Sequence, residues 1–183
     1  SLVGSEMCIR DSAQRVYEAI IKRMELFGLE LSKEKTRILP FGRYSGSRET
    51  FDFLGFTHFN SKTRKGYYSV GHKISRKKKK QFKSNLKKWV KENRNTQFDE
   101  FMKALNKKLT GSFNYYSLSG MIKEVRNLWQ HSLYVTFKWL NRRSQRRSFK
   151  LERFYEIWND RIIHPYIHVD IWSSDKVIYN KNV

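Results

Sequence analysis

The sequence predicts an α+β chain: one helix with a small antiparallel sheet that includes a β-hairpin, then an all-α bundle. Three observations carry this. Period-two alternation of apolar residues marks the part before Gly71 and recurs only in the tail beyond Ile162. Between these, apolar residues recur at three- and four-residue steps. Hydrophobic residues make up 39% and aromatics 15% of the 183 residues, enough for a packed core despite a net charge of +21.

Residues 1–12 resemble translated adapter sequence and are set aside from fold reasoning, the rival reading being an ordinary N-terminal loop. Ser12 is placed to cap a helix carrying Val16, Ile20, Met24 and Phe27, with Ala13, Tyr17 and Ile21 alongside; Gly28 stops it. Leu29–Leu31 and Arg37–Leu39 flank a polar turn and read as two short strands, or a strand and an extended arm. Pro40 argues against a long central strand, and a basic loop follows from Gly42 to Arg48.

The segment Phe51–Phe59 reads FDFLGFTHF and predicts a strand. Phe51, Phe53, Gly55, Thr57 and Phe59 would share one face, with Leu54 and Phe56 on the other. A turn at 60–65 and a return over Gly66–Val70 make a hairpin. After Ser75 a very basic helix carries Phe82, Leu86 and Trp89 on its apolar side. A second helix from near Thr96 holds Phe98, Phe101, Met102, Leu105 and Leu109, and Gly111 ends it. A third runs from about Met121 to Leu140, and a shorter fourth holds Leu151, Phe154, Tyr155 and Trp158. The tail beyond Ile162 alternates through Trp172 and reads as extended.

The charge narrows the function. Thirty-eight Lys and Arg against 17 Asp and Glu repel one another in a compact chain, and a polyanion relieves this. Nucleic acid is the partner that fits, RNA or an RNA–DNA hybrid first. No apolar run approaches the ~20 residues of a spanning helix, and the basic residues are spread along the chain, so no membrane is expected as a partner. One cysteine, Cys8, excludes an internal disulfide framework, and the five histidines lack zinc spacing. A reducing, intracellular setting fits, in a bacterial cytoplasm or an organelle.

Gly28-Leu-Glu-Leu-Ser-Lys-Glu-Lys-Thr36, followed by Phe51-Asp-Phe-Leu-Gly-Phe56, resembles the end of the palm in reverse transcriptases of group II introns. Leu105-Asn-Lys-Lys-Leu-Thr-Gly-Ser-Phe-Asn-Tyr-Tyr116 resembles the signature of their maturase, X or thumb domain, with Phe113 where the family usually has Trp. Trp139–Arg143 also fits that domain. The resemblance covers about residues 13–160. It implies that 13–71 is the C-terminal part of the palm, 72–160 the maturase (thumb) domain and 161–183 an extension. It also implies group II intron RNA and an RNA–DNA primer–template as partners.

The family's Mg²⁺ site rests on paired aspartates just upstream of the helix that starts at Ala13, because two-metal chemistry needs close carboxylates. Asp11 falls in the set-aside segment and Asp52 in the hairpin motif, so this piece is expected to hold no cofactor and not to polymerise by itself. The resemblance points to Lys35 as a general acid toward leaving pyrophosphate, against a plain solvated turn lysine. Lys33 and Arg37 would be general phosphate contacts. Leu54 and Gly55 would meet the primer strand, with Phe51, Phe53 and Phe59 in packing.

Lys73, Arg76, Lys77, Lys80, Lys83 and Lys87 would track a phosphate backbone. Arg142, Arg143, Arg146 and Arg147 suit bidentate phosphate contact. Tyr115 and Tyr116 are candidates for base stacking or for core. Two functions stand side by side: the palm end and thumb of an RNA-directed DNA polymerase, and a non-polymerising maturase module that assists intron splicing. An unrelated basic RNA-binding bundle is the third.

Overall fold

A computed structural model describes residues 2–32, 34–63, 65–143 and 148–167. The chain falls into two compact units, residues 1–49 and 50–183. Gly71, where the composition shifts, lies inside a strand of the second unit.

The first unit is α1 (Leu2–Leu26) and an irregular arm. The helix already begins at Leu2 instead of after Ser12, since nothing between them but Gly4 opposes helix. It ends as the sequence predicts. Gly28 adopts φ +67°, its N–H bonds the Glu25 carbonyl, and the Leu29 N–H bonds the Met24 carbonyl. This is a Schellman closure, which favours glycine in the left-handed position. The partly covered stripe is Ala13, Tyr17, Ile21 and Met24, whereas Val16, Ile20 and Phe27 are exposed. The strands expected over 29–31 and 37–39 do not form among the described residues. Ser32 instead accepts from the Lys35 and Thr36 amides at its carbonyl, closing a turn, and no neighbouring strand supplies a ladder.

The second unit opens with β1 (Thr50–Phe53), β2 (Phe56–Lys62) and β3 (Tyr68–Ile74), an antiparallel meander in that order. The single strand expected over 51–59 is in fact two. Leu54 and Gly55 take φ 48° and 84°, the paired positive values of a two-residue type I′ hairpin turn. The reversal redistributes the faces. Phe51 pairs with His58 and Phe53 with Phe56 on one side, while Asp52 pairs with Thr57 on the other. Phe53, expected to pack, is 61% exposed. Gly71 serves a specific need: a Cβ there would lie 2.4 Å from the Phe59 ring that crosses over it.

Four helices follow: α2 (Arg76–Asn93), α3 (Phe98–Tyr116), α4 (Ile122–Leu140) and α5 (Leu151–Arg161). The helix α3 runs through Gly111, where it was expected to stop. Phe113 and Tyr116 continue the buried stripe of Phe101, Leu105 and Leu109, and their burial outweighs the ~1 kcal/mol helix cost of a glycine. Into the same core come Leu86 and Val90 of α2, Val125, Leu128 and Leu140 of α4, and Phe154 and Trp158 of α5. Phe56 and Ile74 carry it into the sheet.

Polar ties hold the ends. Asn141 donates to the Phe149 carbonyl and accepts from its amide, Asn106 accepts from the Ile163 amide, and Arg161 pairs with Asp99. The expected extended tail lies outside the described residues from 168 on.

Candidate nucleic-acid interface

The sequence of α2 dictates a two-sided helix. Ser75 caps it, its Oγ accepting from the Lys78 amide at 3.4 Å. Phe82, Leu86, Trp89 and Val90 turn inward; sequence reading missed Val90, which is fully buried. Nine of its 18 residues are basic and one, Glu92, is acidic. Lys79 faces α4 and pairs with Glu124. Arg76, Lys77, Lys80, Lys83 and Lys87 are exposed.

At about 100° per residue, Arg76, Lys80, Lys83, Lys87 and Lys91 fall within an arc of about 80° and along about 22 Å of axis. That is a straight cationic track. None of these five has a carboxylate within ion-pair distance among the described residues. His131 of α4 senses the track: burial, and then the Lys83 charge, hold its pKa below the usual histidine value.

At the far end of α2 the track meets Trp139. Lys91, Arg94 and Arg142 lie 5.9, 5.5 and 5.5 Å from the centroid of its ring. The negative face of the indole holds three like charges in one corner. Arg143, grouped with Arg142 in the sequence, has a different position. Its Nε donates to the Leu140 carbonyl at 3.3 Å and its Nη1 to the Arg94 carbonyl at 3.4 Å. It therefore ties together the C-terminal ends of α2 and α4, where unpaired carbonyls favour a cation. Arg146 and Arg147 lie outside the described residues.

At the near end, the Leu54–Gly55 turn is pinned from two sides. Tyr115 of α3 donates its hydroxyl to the Leu54 carbonyl at 2.5 Å, and the Ser75 amide donates to the Gly55 carbonyl at 2.9 Å. The Lys78 stem covers Gly55, where a Cβ would lie 3.3 Å from Lys78 Cγ. The turn thus presents Phe53 and Leu54, 61% and 67% exposed, on a fixed backbone. Tyr115 and Tyr116 differ in exposure. Tyr116 is buried, and burial followed by the neighbouring Tyr115 pushes its hydroxyl pKa up. Tyr115 is half outside and stacks on Phe56 at 5.5 Å.

Beside this turn the sheet carries a row of three side chains, Asp52, Thr57 and Lys73, matched across the strands. Thr57 donates to Asp52 Oδ1 at 2.5 Å. The row lines a cleft of about 380 Å³ with Thr50, Ile74, Arg76 and Lys79.

Residues 79–156 match the family model of the group II intron, maturase-specific domain. This stretch is similar to a group II intron maturase-specific domain. It runs from the first turn of α2 into α5, so the basic track from Lys80 onward and the Trp139 corner both belong to it. No curated protein and no solved structure matches the chain.

The β-sheet with Leu54, Gly55 and Lys73 precedes the maturase-specific domain, as do Arg76 and Lys77. Lys35 lies in the first unit, exposed in the Ser32–Thr36 turn. Lys33 lies outside the described residues, and Arg37 is exposed. Among the described residues no helix is long and apolar enough to cross a membrane.

Proposed function

We propose that this chain binds group II intron RNA through the α2 track and the Trp139 corner of its maturase-specific domain. The carrying observation is the cationic arc on α2, which has no ion-pair partner among the described residues, is held rigid by Leu86 and Val90, and from Lys80 onward lies within the matched family segment. Lysines on a fixed helix contact phosphates without reading bases, so they set affinity and orientation. We propose further that residues 13–71 are the C-terminal part of a reverse-transcriptase palm and that the Leu54–Gly55 turn meets a primer strand. The support is the order of the motifs before a maturase-specific domain, and the doubly pinned turn with its outward Phe53 and Leu54. On this reading Lys35 serves the triphosphate, Mg²⁺ would be held by paired aspartates of the kind the family uses, and this chain, whose sequence has no such adjacent pair, does not synthesise DNA.

The non-polymerising maturase module uses the same α2 face. Two measurements separate the readings. Acceleration of intron splicing at limiting Mg²⁺ by the purified chain, lost on replacing Lys80, Lys83 and Lys87 by Ala, supports the RNA-binding role. Unchanged splicing and no binding to intron RNA would overturn it. Templated DNA synthesis by this chain would overturn the assignment of its metal site to other residues.

A further inference from the structure

The cleft beside the hairpin contains one acid among cations. Asp52 shares it with Lys73, Arg76 and Lys79, yet among the described residues none of them lies within 4.0 Å ion-pair distance of its carboxylate. The register explains why. Asp52 is on β1 and Lys73 on β3, with Thr57 between them, so two strand spacings of about 9–10 Å separate their backbones. Lys79 is already engaged by Glu124, and the Lys73 ammonium lies 5.5 Å from the centroid of the Phe59 ring. Thr57 occupies Oδ1 of Asp52 and orients the carboxylate, leaving Oδ2 as an acceptor on an exposed side chain.

In a chain of +21 built to meet a polyanion, an acid at the interface repels phosphate. It is tolerable there if it accepts a hydrogen bond from the same ligand whose phosphate the neighbouring cations hold. The ribose 2′-hydroxyl is the group on RNA, absent from DNA, that donates such a bond.

We propose that this cleft takes one ribose–phosphate unit of RNA. Asp52 accepts from the 2′-hydroxyl, and Lys73 and Arg76 hold the adjoining phosphate. The cleft then supplies a preference for RNA over DNA that the lysine track, blind to the sugar, does not have. It rests on the RNA-binding reading above and adds the sugar as the recognised group.

The test is a cycle between protein and ligand. Binding of the full chain to one single-stranded RNA is measured with 2′-hydroxyl, 2′-deoxy and 2′-fluoro sugars scanned along it. The 2′-fluoro sugar keeps the RNA pucker and donates nothing. With the wild-type chain, deoxy and fluoro substitution at one position should each weaken binding about tenfold, the worth of one charge-assisted hydrogen bond. With Asp52→Ala the same substitutions should cost nothing. Removing the acid also strengthens binding to every polyanion, but that effect cancels in the ratio. Thr57→Val should reduce the preference without abolishing it, because the carboxylate remains but loses the hydrogen bond that orients it. Equal binding of 2′-fluoro and 2′-hydroxyl RNA by the wild-type chain overturns the proposal, and that measurement needs no variant to fold. So does an unchanged ratio in Asp52→Ala. If RNA binds with a steep salt dependence but no 2′ position matters, the cleft is refuted and the track stands. If RNA does not bind, the functional reading itself has failed.

Discussion

Replacing Lys80, Lys83 and Lys87 by Ala removes three neighbouring charges of the α2 arc. All three are exposed and none pairs with a carboxylate among the described residues. Alanine is the best helix former, and Leu86 and Val90 stay in place, so the helix should persist. Each phosphate contact contributes about 0.7 to 0.9 to the slope of log affinity against log salt, so three should flatten it by about 2 to 3. Between 50 and 200 mM salt the variant should therefore lose about 20- to 40-fold less affinity than the wild type. Fluorescence anisotropy with a labelled intron RNA at several salt concentrations reads this. Lys103 and Lys107, exposed on α3, form the matched control pair. His131 gives a second readout: a phosphate seated on Lys83 offsets the charge that depresses it, so its pKa should rise on RNA binding. Replacing Lys83 by Ala should raise it in the free chain. If the α3 pair flattens the slope as much per lysine as the α2 triple, and His131 does not respond, the track has no special role and only diffuse attraction remains.

Three further outcomes are expected. Gly71→Ala should destabilise the second unit by about 1–3 kcal/mol through overpacking against the Phe59 ring, and Phe59→Leu in the same chain should restore part of it; thermal melts decide. Arg142→Ala should weaken RNA binding and leave the melting temperature near that of the wild type. Arg143→Ala should lower the melting temperature by loosening the α2 and α4 ends, and the reverse pattern would exchange their roles. His72 is held below its ordinary pKa by burial and then by His58, so the unfolded chain takes up its proton first as pH falls. Its contribution is complete above the unfolded value near 6.5 and is lost as pH drops through the lower folded value. The His72→Gln variant should lose less stability than the wild type between pH 7.5 and 5, and equal losses would refute this.

For α2 and α4 the sequence determined where the helices lie and which sides of them are covered, because helix periodicity is a local property of side-chain spacing. Phe82, Leu86 and Trp89 of α2, and Met121 through Leu140 of α4, were legible for that reason. So was the basic face of α2, since residues off the apolar stripe have nowhere to go but solvent. The Schellman end at Gly28 was equally local.

Tertiary structure decided what depends on a partner. Gly111 reads as a helix stop until Phe113 and Tyr116 find a core to enter. The strand over 51–59 reads as continuous until the Leu54–Gly55 turn folds β1 back on β2, which moves Phe53 out and brings Asp52 opposite Thr57. Arg142 and Arg143 are adjacent and chemically identical. Only the meeting of two helix ends sets one on the face of Trp139 and fastens the other to two carbonyls. The row Asp52, Thr57 and Lys73 was likewise invisible in the sequence. Register across strands is a long-range choice that no local spacing records.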